Sequence, residues 1–136
     1  MPLKRFFLAM FLTACLAHAA KAADQVFDAP DAASGLHAVN GKAYWEIFAM
    51  CFASAGAALE KAVTEKNEAQ QQEMDALAAD VRERGIARLV ADRAVFEGEA
   101  EEVFLARAAQ AMPEPGFAAA CRLYVKDHDS RFGTPN

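Results

Sequence analysis

The chain has 136 residues, 54% apolar and 24% charged, with a net charge of −5 at pH 7. That length gives one domain with room for a real core. The acidic balance and the lack of a basic patch argue against nucleic acid as a partner, because phosphate is repelled by such a surface.

The chain opens MPLKRFFLAMFLTACLAHAAKAADQ. Lys4 and Arg5 precede an uncharged apolar run over residues 6–16, and small residues follow in two A-x-A patterns. That order is the order of a secretory signal peptide. The run falls short of the roughly 20 apolar residues that a membrane span requires. Residues 1–22 are therefore expected to be removed on export, with cleavage after Ala19 or Ala22. The product is expected to be periplasmic or secreted. Cleavage after Ala22 takes away three of the 14 basic residues and none of the 19 acidic ones, so 11 against 19 leave a charge of −8. A second reading takes Leu12, Thr13, Ala14 and Cys15 together, a stretch that resembles the lipobox of bacterial lipoproteins. A lipid on Cys15 would tether the product to a membrane face; without it no membrane partner is expected.

Residues 23–40, ADQVFDAPDAASGLHAVN, hold Pro30, Gly35 and scattered Asp and Ser without a sustained period. They read as an irregular arm, with Val26, Phe27 and Leu36 as the side chains that would dock on the body. Residues 41–128 read as a helical domain and residues 129–136 as a flexible tail.

The first helix is expected over residues 42–64, with Asn40 as its N-cap. Tyr44, Ile47, Phe48, Cys51, Phe52, Ala55, Ala58, Leu59, Ala62 and Val63 follow the 3.6-residue period, and Trp45 widens the apolar face. A helix this apolar is expected at the centre, packed on more than one side. A turn near Lys66 and Asn67 lets a second helix begin. Met74, Leu77, Ala78 and Val81 form its stripe, and Ile86, Leu89, Val90 and Phe96 continue it. Gly85 either caps this helix or lies inside it, at a cost of about 1 kcal/mol relative to alanine. The period beyond Gly85 favours one long helix over residues 67–96. A third helix over residues 99–112 buries Val103, Phe104 and Ala108. PEPG, residues 113–116, breaks the chain, and a fourth helix is expected over residues 115–128 with proline in its first turn. The fold class is all-α: a small four-helix up-and-down bundle.

Export leaves two cysteines, Cys51 and Cys121, an even number in an oxidising compartment. A disulfide between them is expected, and it makes a ruler. Antiparallel first and last helices would put the two cysteines at nearly the same height. Tyr44 lies seven residues before one and His128 seven after the other, so both return to the same face two turns away. Tyr44 and His128 should then share a layer.

No catalytic constellation is legible. Ser34, Ser54 and Ser130 have no motif around them, and Ser54 reads as bonding back to a carbonyl one turn earlier. His37 lies in the arm, and His128 ends a helix where it favours the dipole. No metal ligand set is assigned. Glu97, Glu99, Glu101 and Glu102 read as acids favouring a helix N-terminus. Met74 and Met112 read as core or gap-filling residues. The aromatic residues Tyr44, Trp45, Phe48, Phe52 and Tyr124 gather at one end with His128. They read as core, and as a ligand or partner surface should Trp45 be exposed. The function expected is non-catalytic binding of a protein partner or a small apolar ligand, with no cofactor. The alternative is a carrier of a metal or of a non-covalent haem, the latter held by His128 and Met50. Covalent attachment is excluded by the lack of C-x-x-C-H.

Overall fold

The computed structural model describes residues 24–28 and 39–135. The expected signal peptide, Cys15, Ser34, Leu36 and His37 lie outside them. Among the described residues four α-helices follow in order: α1 Tyr44–Thr64, α2 Glu68–Arg93, α3 Glu97–Gln110 and α4 Ala118–Phe132, the last preceded by a 3-10 turn at Pro115–Phe117. Among the described residues the only β pairing is an isolated antiparallel bridge, Val26 to Ala43. The protein is all-α.

The start of α1 differs from expectation. Ala43, not Asn40, is its N-cap, and it makes no side-chain cap bond. The arm does the capping instead. Tyr44 N–H donates to the Gln25 carbonyl at 3.0 Å, and Phe27 N–H donates to the Lys42 carbonyl at 2.9 Å. The Gln25 carbonyl of the extended arm thus serves as an acceptor that a helix start otherwise takes from a side chain or water, and the Phe27 bond holds the arm beside it. It also drives Phe27 into the core at 2% exposure, while Val26 stays 44% exposed. Strand alternation accounts for the contrast, because neighbouring side chains leave opposite faces.

Asn67 caps α2 by accepting from Gln70 N–H at 3.1 Å. The helix runs without a break through Gly85 and stops at Arg93. Ala94 then turns into the left-handed region, with φ 53°. The stop corrects two expectations. Phe96 does not extend the α2 stripe but precedes α3, 87% exposed. The next helix starts two residues earlier than expected, so it ends at Gln110. Met112 therefore falls outside it and is 87% exposed instead of buried. Met74 is core, as expected.

Helix α1 is the hub and packs against α2, α3 and α4. It is also long and apolar enough to cross a membrane by length and composition alone. Its buried residues, Tyr44, Ile47, Phe48, Ala49, Cys51 and Ala55 among them, are those of a core helix. In an up-and-down square α3 would lie against α4. Here both pack on α1 and α2 and scarcely touch each other. Phe104 of α3 is buried beside Gly85 of α2, and its ring meets Phe52 of α1 at 5.7 Å. The linker then crosses α1, where Glu114 N–H donates to Ser54 Oγ at 3.2 Å. That crossing carries the chain away from α3 before α4 begins.

Cys51 and Cys121 are fully buried and lie at disulfide distance, with Cα atoms 5.9 Å apart. Tyr44 and His128 share a layer, their ring centroids 5.7 Å apart. The antiparallel pairing of α1 and α4 is the one that the spacing of seven predicts. Helix α4 does not end at His128 but runs to Phe132. The extra turn is held because Asp129 pairs with Arg84, and Phe132 packs on Tyr44 at 5.4 Å.

Candidate functional site

The aromatic residues expected at one end of the bundle do gather, but as core. Tyr44 and Phe48 are fully buried, Tyr124 is 1% exposed and His128 2%. Phe52 is half-buried, its ring against Phe104 of α3. Trp45, whose exposure would have marked a surface, is 5% exposed. The arm closes that end. Phe27 sets its ring edge-on to Tyr44 at 5.9 Å and to Tyr124 at 5.2 Å. Asp24 accepts from Trp45 Nε1 at 3.1 Å and from both Nε and an Nη of Arg93. Arg93 lies over the Trp45 ring, a favourable cation–π geometry. Chiefly through the Arg93 bond, the Asp24 carboxyl is held below its usual range.

Two further polar clusters tie α4 down. Tyr44 donates to Asp127 and accepts from Arg131 at 3.0 Å. Burial, reinforced by the Asp127 bond, pushes the Tyr44 hydroxyl up to about 12. Arg84 grips Asp129 with two bonds of 2.8 and 2.6 Å. This planar two-bond geometry is the strong form of an arginine–carboxylate pair. Asp129 in turn meets His128 Nδ1 at 2.9 Å. The Arg84 bond lowers the Asp129 carboxyl.

Burial pulls the His128 imidazole below its usual value of 6.5, and Arg88 and Arg84 add to the effect while Asp129 opposes it. The unfolded chain therefore takes up a proton on His128 more readily than the folded one. The stability that neutral His128 contributes is complete above about pH 6.5 and is lost as pH falls below that, towards the lower folded value. Denaturation midpoints at pH 7, 6 and 5 should fall, and His128→Phe should flatten that slope. A slope unchanged in the variant would assign it to another group. The lowered carboxyls of Asp24 and Asp129 act in a separate window, with their stability lost as pH falls below about 4.

Other candidates fall apart in space. Met50 lines a cleft of about 240 Å³ with Ser54, Arg107, Met112 and Phe117. His128 lines a different, smaller one with Arg88, Phe132 and Gly133. Met50 and His128 thus line separate clefts. Ser54 does not donate back along its helix; its oxygen accepts the Glu114 N–H, which the linker brings across α1. Ser130 donates to the Asp127 carbonyl at 2.7 Å. Glu101 pairs with Arg82 at 2.7 Å, and Glu97 and Glu99 lie in the first turn of α3. Among the described residues no three His, Cys, Asp or Glu side chains are grouped to hold a metal ion.

One feature is not assigned by the sequence reading. A cleft of about 370 Å³ lies along α2, lined by Glu83, Ile86, Ala87, Val90 and Ala91 together with Glu97 and Pro135. The spacing 83, 86, 87, 90, 91 is one face of a helix. The apolar period through Ile86 and Val90 was the available signal. What hides the cleft in the sequence is that its other walls are the start of α3 and the chain end beyond α4. Phe96, next to Glu97 at this corner, is almost fully exposed. No family model, curated protein or solved structure matches the chain.

Proposed function

We propose that this protein is exported and acts by binding a small apolar ligand, without catalysis, in the cleft between α2, the start of α3 and the chain end. The cleft itself carries the reading. Its volume of about 370 Å³ falls within the range of small-molecule sites, and its α2 wall is Ile86, Ala87, Val90 and Ala91. Sites of this kind are apolar with a few polar groups at the rim, here Glu83 and Glu97. Export is supported by the charged and apolar order of residues 1–22. It is supported again by the Cys51–Cys121 pair, which suits an oxidising compartment.

The test is fluorescence of N-phenyl-1-naphthylamine, a neutral apolar dye, titrated against the protein. Its size permits a Kd on the order of 0.1 mM. Ala87→Trp fills the cleft from a half-buried position and is expected to weaken dye binding at least about tenfold. No dye binding, or equal binding by the variant, would overturn the reading. The mass of the protein recovered from the exported fraction tests the rest: residues 23–136 or 20–136 less two hydrogens are expected, against an unprocessed or lipidated chain.

A further inference from the structure

We infer that the ligand of this cleft is an amphiphilic cation, an apolar chain or ring that carries one positive head group; this rests on the cleft being the binding site. The charge around it is one-sided. Its lining holds two charged residues, Glu83 and Glu97, both acidic and both exposed, and no basic one.

The cations that might have neutralised them are engaged elsewhere. Helix α2 holds four arginines and no lysine. Arg82 pairs with Glu101, Arg84 with Asp129, and Arg93 with Asp24. Arg88 faces Asp92 at 3.2 Å, an ion pair by distance in which its buried Nε makes no hydrogen bond, and lies over the Phe132 ring at 4.0 Å. Among the described residues no ion pair within 4 Å reaches Glu83 or Glu97; Glu83 acts on the Arg84 guanidinium only through its field, after Asp129 and Asp80. Glu97 is the first residue of α3, so the helix dipole accounts for an acid there. The dipole does not account for Glu83, which lies in the middle of α2 and opens on the same cleft.

An apolar body buried against Ile86, Ala87 and Val90 would bring its head group to one or other carboxylate. A positive head gains from both the rim and the acidic field of the whole chain. An anionic head would be repelled by both. A neutral one would gain only the burial.

Three ligands with the same ten-carbon chain separate these terms: decyltrimethylammonium, the net-neutral decyldimethylamine N-oxide, and decyl sulfate. Each is titrated below its micelle concentration into the full mature protein, with backbone amide NMR shifts as the readout. Shifts centred on Ile86, Ala87, Val90 and Ala91 are expected, with the cation binding about fivefold tighter than the neutral ligand. The double variant Glu83→Gln, Glu97→Gln is expected to bring the ratio of the cation's Kd to the neutral ligand's close to one. Equal binding of cation and neutral ligand would overturn the cation assignment and leave the cleft as an apolar site. A preference that persists in the double variant would also overturn it, tracing the effect to net charge. Absence of shifts in the cleft with all three would overturn the site itself.

Discussion

Replacing Cys51 and Cys121 together by alanine should lower the unfolding free energy by about 4 kcal/mol. The two are 70 residues apart in sequence, and opening a loop of that size restores the corresponding entropy to the unfolded chain. A small domain is stable by only about 5–15 kcal/mol in total, so the variant should sit close to the edge of folding at 37 °C. Guanidinium denaturation of both proteins without reductant measures the difference. A loss under about 1 kcal/mol would mean that the unfolded chain is already compact around the two sites. Because both positions are fully buried, a single replacement also leaves a buried thiol. The double variant is therefore the cleaner comparison.

Gly85→Ala carries the second large effect, and its sign is the informative part. In an exposed helix the change would stabilise by about 1 kcal/mol. Here a Cβ at position 85 would lie 2.6 Å from Cδ2 of Phe104, closer still to its neighbour Cε2. Phe104 is fully buried between α1 and α2 and meets Phe52, so its ring has little room to retreat. Overpacking of this kind costs typically about 1–3 kcal/mol, and a net destabilisation of about 2 kcal/mol is expected. The urea midpoint of the variant checks it. Adding Phe104→Leu should recover part of the loss, since the smaller side chain makes the space that the new methyl occupies. A stabilised Gly85→Ala would mean that α3 moves away from α2 without cost.

Gly85 shows where sequence reading stops. Periodicity carried α2 past it, and the helix is indeed continuous. Nothing local says that the missing side chain makes room for a phenyl ring from another helix. Arg84 and Asp129 make the same point. One looks like a polar surface residue of α2 and the other like the start of a tail. The two-bond pair between them buries the arginine and extends α4 by a turn. Phe96 and Met112 failed for a related reason. Both lie just outside a helix whose end shifted by two or three residues, and a small shift rotates a side chain from the core to the solvent.

Residues and spacing by themselves determined the helical class, the central place of α1, the turn at Lys66 and Asn67, the break at PEPG, and the pairing of Cys51 with Cys121 through antiparallel α1 and α4. Most of these follow from periods and breaks within single segments, which the chain carries wherever it goes; the cysteine pairing also needs the expected export, which leaves two cysteines in an oxidising compartment. Only the tertiary structure decided that the arm caps α1 and closes the aromatic end, that α3 and α4 stay apart, and that a cleft opens on α2. Each of those depends on where distant segments meet, and packing of a wall from α3 and the chain end against α2 has no counterpart in any local pattern.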